Sequence, residues 1–117
     1  MKQSEAIAAL GALAQDTRLA IFRLLVQAGQ GGLAAGSISQ TLGLAAPTLS
    51  FHLGQLKHAG LITMRRESRS LIYAAEYGTM NALLGYLTEN CCHGDFSSCE
   101  GATCEPLPVH FLSRSTT

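Results

Sequence analysis

The 117-residue chain has no cysteine before position 91, only 14% charged residues and a formal net charge of zero. Each shortage excludes something. Without cysteines in its first 90 residues the chain cannot staple a small core with disulfides spread along its length. A neutral balance argues against a uniformly basic coat for nucleic acid. Sparse charge beside 47% hydrophobic residues excludes an intrinsically disordered chain and leaves material for one packed core. No apolar run approaches the roughly 18 residues of a membrane span, because Asp16, Arg18 and Arg23 interrupt the most hydrophobic stretch. There is no Gly-rich phosphate loop and no nucleophile and base at a recognisable spacing. The adjacent Cys92 and His93 are a pair far commoner by chance than as a catalytic dyad, so no enzyme is expected. Lys2 followed by the apolar run Ala6 to Ala14 has the outline of a secretion signal, but Glu5 offsets Lys2 and the run is short. Ile7, Leu10 and Leu13 recur at helical spacing, so the expectation is a structural helix in a cytoplasmic protein.

The neutral total conceals a division. Residues 1 to 80 carry seven basic against four acidic groups, a net +3, whereas residues 81 to 117 carry one against four, a net −3. A mildly basic body therefore meets an acidic C-terminal part, an asymmetry that hints at a partner. Asp16-Thr17 is a helix start, and Leu19, Ile21, Phe22, Leu24, Leu25 and Val26 give that helix a broad apolar face before Gly29, Gly31 and Gly32. Residues 27 to 35 read as a connector. A short helix with Ile38 and Leu42 then reaches the turn at Gly43-Leu44, and Pro47 opens the next helix.

At about 100° per residue, the helix from Ala46 to Ala59 places Leu49, Leu53 and Leu56 on one face and Thr48, His52 and Gln55 on the other, with Phe51 at its edge. Leu61 to Met64 and Ser70 to Tyr73 read as strands around a basic tip, Arg65 to Arg69. A last helix, Tyr77 to Asn90, carries Met80, Leu83, Leu84 and Leu87 on its apolar side. The expected fold is mainly α with a β-hairpin wing (α+β), a winged helix-turn-helix over residues 1 to 90. Residues 91 to 117 form a cysteine-containing tail without periodic apolar pattern, expected to be loop or partly disordered.

The run from Thr48 to Ile62, with Ser50, His52-Leu53, Leu56 and Ala59-Gly60-Leu61-Ile62 in place, resembles the S-x-H-L-x-x-L-x-x-A-G-L-[VI] signature of the ArsR/SmtB family of bacterial metalloregulators. Asp16 to Leu25 resembles that family's second helix, and the likeness spans about residues 5 to 88. It implies a homodimeric repressor, built through its first and last helices, that leaves its operator when a metal or metalloid binds. A two-fold dimer would set two recognition helices about one DNA turn apart. In the major groove glutamine can pair with adenine, and serine, threonine and histidine can reach base edges or phosphates, which makes Thr48, Ser50, His52 and Gln55 the readout candidates. Arg65, Arg66 and Arg69 are candidates for phosphates or an adjacent minor groove; alone, such a hairpin would more often be a solvated turn. His58 reads as an ordinary surface histidine.

All four cysteines, Cys91, Cys92, Cys99 and Cys104, fall within 14 residues. Zinc favours Cys-x-x-Cys pairs, and this spacing is a poor match. A thiol redox switch ranks second, because the surroundings are acidic rather than cationic. A soft thiophilic ion suits a cysteine-only cluster of flexible spacing, and trivalent arsenic, or antimony, fits best because it accepts three sulfurs in a lopsided pyramid; cadmium and lead stay open. The Asn90 to Gly94 run resembles the C-terminal arsenite site of one subgroup of the family. The founding arsenic sensors carry Cys-Val-Cys in the helix before the turn, whereas residues 32 to 38 here hold no cysteine, and the last helix lacks the zinc sensors' paired ligands. Cys91, Cys92 and Cys99 are the expected ligands, since Cys99 closes a shorter loop than Cys104.

Overall fold

The computed structural model describes residues 1–90; the tail and its four cysteines lie outside the described residues. Five helices and three strands follow in the order α1 (Gln3–Leu13), α2 (Asp16–Ala28), β1 (Leu33–Ala34), α3 (Ala35–Leu42), α4 (Ala46–His58), β2 (Ile62–Glu67), β3 (Ser70–Ala75) and α5 (Tyr77–Leu87). The strands form one antiparallel sheet in the order β1-β3-β2, so the hairpin has a third strand on its inner edge. β1 has only two residues, Leu33 and Ala34, opposite Tyr73 and Ile72. A run that short carries no period, so the connector expected over residues 27 to 35 concealed it.

Helix α2 begins one residue earlier in its capping than its sequence suggests. Gln15, not Asp16, is the N-cap, and its side chain accepts a hydrogen bond from the Arg18 amide at 2.8 Å, while Asp16 sits in the first turn where its negative charge complements the helix dipole's positive end. Gly29 ends the helix with φ +84°. Between α3 and α4 the turn is made by Gly43 in the left-handed conformation, a backbone that side chains with a Cβ adopt at a cost. Ser39 ties its hydroxyl and carbonyl to Leu44, and Pro47 lies in the first turn of α4, where its missing N–H costs nothing.

The core is continuous. Ile21, Leu25, Ile38, Leu56 and Leu61 are fully buried, joined by Phe22, Leu49, Leu53, Ile62 and Leu83. From α1 only Ala6 and Ala9 are fully in the core, so this helix approaches closely; Leu13 packs against the core half-buried, while Ile7 and Leu10 face outward. Helix α1 packs on α2, α4 and α5. Two expectations for α5 change. Leu83 is part of the protomer's own core rather than a free dimer face, and the helix ends at Leu87 instead of Asn90. Thr88 closes it by donating its hydroxyl to the Leu84 carbonyl at 2.9 Å, and Asn90 then takes φ +57°, turning the chain just before Cys91.

Candidate nucleic-acid interface

Helix α4 owes its placement to its leucines. Leu49, Leu53 and Leu56 anchor it against α2, α3 and the sheet, which leaves roughly half its circumference in solvent: Thr48, Ser50, Phe51, Gly54, Gln55, Lys57 and His58 are all exposed. Thr48, Ser50 and Gln55 therefore stand where the sequence puts them. His52 does not. It is only 9% exposed, and its Nδ1 lies 3.3 Å from the Arg18 guanidinium. Because arginine can only donate, Nδ1 is the acceptor in this contact. Arg18 also donates from Nε to the Ala12 carbonyl at 2.7 Å. One side chain of α2 thus ties the end of α1 to the recognition helix, and His52 is a positioning residue on the inner edge of α4 rather than part of its solvent face. The signal was present in the helical angles: His52 lies about 40° from Thr48 on the side toward Leu56, whereas Gln55 lies about 20° away on the other side.

The hairpin departs from expectation in a second way. Strand β2 runs to Glu67, so Arg65 and Arg66 are strand residues and only Ser68-Arg69 forms the turn, with Ser68 at φ +56°. Alternation along a strand sends neighbours to opposite faces. Arg65 shares a face with Glu67 and donates to its carboxylate at 2.6 Å, while its second nitrogen donates to the Gly31 carbonyl at 2.8 Å. It braces the wing against the segment entering β1. Arg66 and Arg69 are exposed and make no ion pair among the described residues. A phosphate contact by Arg66 or Arg69 predicts that alanine at either position weakens binding to all duplexes alike and flattens the salt slope by about one unit or less. Arg65→Ala is expected to keep the slope and to lower the melting temperature slightly. Binding of random and selected duplexes across a salt series, beside thermal melts, checks the division; an unchanged slope for Arg66→Ala and Arg69→Ala together would count against it.

Among the described residues no three His, Cys, Asp or Glu side chains come together as metal ligands, and no helix is long and apolar enough to cross a membrane. The expected ligands Cys91, Cys92 and Cys99 lie outside the described residues.

A short helix, a tight glycine turn, a second helix with a polar solvent face and a basic antiparallel hairpin together define a winged helix-turn-helix module of the DNA-binding class. A family model described as a helix-turn-helix domain matches residues 13–65, which span α2 through the first half of the wing. The HTH-type transcriptional regulator YgaV of Escherichia coli K12 is 31% identical over 88 residues, covering 75% of this chain and 87% of that protein. The solution structure of a homodimeric winged helix-turn-helix domain from Mycobacterium bovis, described as a possible ArsR-family regulator, is 25% identical with a TM-score of 0.61, covering 84% of this chain and 89% of that one. An ArsR-like regulator from Rhodococcus sp. RHA1 shares the fold with a TM-score of 0.68 at 23% identity, over 80% of this chain and 86% of that one. The chain belongs to the ArsR family of helix-turn-helix transcriptional regulators, and it is a DNA-binding regulator.

Proposed function

We propose that this chain is a cytoplasmic homodimeric repressor that leaves its operator when trivalent arsenic, or antimony, binds thiolates of Cys91, Cys92 and Cys99. The observation that carries the reading is a cysteine-only donor set placed directly after the helix α5. Adjacent side chains on a continuing helix would diverge by about 100°, so two neighbouring thiols could not face one ion. Here the helix has ended at Leu87 and the backbone turns at Asn90 before the cysteines begin. Three soft sulfurs suit a pyramidal trivalent ion, which tetrahedral zinc with its Cys-x-x-Cys preference does not match.

The dimer is supported by the homodimeric M. bovis domain and by Ile7, Leu10 and Leu87, large apolar side chains left exposed on α1 and α5. Closing a loop of the tail onto the end of α5 would shift that helix. Since α1 packs on both α5 and α4, the shift reaches the recognition helices, and a coupling of roughly 1 to 3 kcal/mol would suffice to empty the operator. Thr48, Ser50 and Gln55 would read base edges from α4, and Gln55→Ala would relax base preference.

Titrating the protein–operator complex with arsenite tests the reading. Cys91→Ser, Cys92→Ser and Cys99→Ser are each expected to bind the operator normally and to stay bound with arsenite present, whereas Cys104→Ser releases. A responsive Cys99→Ser beside an unresponsive Cys104→Ser would exchange the third ligand. Normal release from a variant lacking all four cysteines would end the proposal. Release by a thiol oxidant, reversed by reductant and indifferent to arsenite, would instead establish the redox alternative.

A further inference from the structure

We infer that Phe51 is a specificity-determining residue of this regulator, and that it reads the 5-methyl group of a thymine in the major groove. The inference rests on α4 being the helix that enters that groove. Phe51 is 60% exposed, the one large apolar side chain on α4 outside the core; the others left in solvent belong to the N-terminus, α1, α2, β2 and α5. Its ring does not serve the packing of α4, which Leu49, Leu53 and Leu56 accomplish. It stands one turn from Thr48 and one turn from Gln55, in the middle of the solvent face.

The ring is also supported. It meets the His52 imidazole edge to face, with centroids 5.4 Å apart and planes at 67°, and His52 is itself held by Arg18. An exposed aromatic ring backed by a braced neighbour is presented outward in a restricted set of orientations.

The surroundings select the partner. From Thr48 through Gln55 the exposed face carries hydroxyls, a glycine, one amide and the phenyl ring, with no arginine or lysine until Lys57. Guanine is read in the major groove chiefly by arginine or lysine, adenine by glutamine or asparagine, and thymine by apolar contact with its methyl group. A neutral patch combining an amide with a ring matches the edge of A·T pairs, with Gln55 on adenine and Phe51 on a thymine methyl of the same or the neighbouring step.

Duplexes enriched from a random-sequence library by the full-length protein provide the DNA. Each thymine is then replaced singly by deoxyuridine, which deletes the methyl group and keeps every hydrogen-bonding atom. The wild-type protein is expected to bind about fourfold more weakly at one thymine of each half-site, the effect of one lost methyl contact. Phe51→Ala is expected to bind thymine and uracil equally at that position. Phe51→Gln, which keeps a longer, helix-compatible side chain without an apolar ring, is expected to do the same. Retention of the wild-type thymine-to-uracil ratio by both variants would overturn the inference. So would a uniform loss across thymine and uracil duplexes, the mark of a ring wedged between base pairs irrespective of the methyl. An enriched duplex that is insensitive to uracil throughout refutes the role of Phe51 alone; enrichment of no duplex refutes α4 as the reading element together with it.

Discussion

Gly32→Ala is expected to be among the most damaging small substitutions in this protein. Gly32 enters β1 with φ +71°, and a Cβ there would lie 2.3 Å from the Tyr73 carbonyl oxygen and 3.0 Å from the Ile72 side chain. The first obstacle is backbone and cannot rotate away. The left-handed conformation adds its own penalty for any residue with a Cβ. Relief requires β1 to separate from β3, which removes the inner strand and the Gly31 carbonyl from beneath the wing. A cost of roughly 2 to 4 kcal/mol follows, a large share of the stability of a small domain and about 10 to 25 °C in melting temperature. Gly31→Ala is the control, because Gly31 has ordinary backbone geometry and open space around a new Cβ. Thermal unfolding of the two variants side by side decides the matter, and coincident melts would show that the close approach at Tyr73 relaxes easily.

On the proposed dimer, Ile7→Asp and Leu87→Asp should each produce monomer. Both side chains are more than half exposed, at 60% and 55%, on helices whose inner faces are already buried. Burial of such a side chain is worth roughly 1.5 to 3 kcal/mol, and two-fold symmetry counts it twice. The dimer should weaken by about 10² to 10⁴-fold, and operator binding should fall with it because two recognition helices no longer act together. Leu83→Asp is a different experiment. Leu83 is 5% exposed within the protomer, so that change should unfold the chain rather than split a dimer. Leu19, 44% exposed on α2, offers a control whose replacement by aspartate should leave association intact. Sedimentation equilibrium of the folded variants is the measurement; an unaltered dimer in both Ile7→Asp and Leu87→Asp would place the interface elsewhere.

Residues alike in type part company on α4, in the wing and on α5 for physical reasons. His52 and Gln55 lie within about 60° of each other on α4, and both are polar. Which one faces solvent depended on Arg18, a side chain 34 residues away in sequence, reaching the inner edge of the helix. Arg65, Arg66 and Arg69 are alike in composition, and their separation follows from β2 extending to Glu67, after which strand alternation pairs Arg65 with Glu67. Phe51 was legible as an edge residue, but its exposure and its support by His52 emerge only from the packing of α4. The apolar face expected on α5 was divided by the same cause. Leu83 met the core while Leu87 did not.

Sequence alone determined the existence and order of the five helices and the hairpin, the glycine turn at Gly43, the position of Pro47 and the family signature from Thr48 to Ile62, because these depend on local backbone preference and on the period of apolar side chains. Tertiary structure decided the third strand, the boundary between the inner and outer arcs of α4, the bracing role of Arg65 and the outward display of Ile7 and Leu10 over buried Ala6 and Ala9. Periodicity specifies which residues share a face, but the width and direction of that face are set by what packs against it. Those contacts join residues far apart in the chain, and no local pattern encodes them.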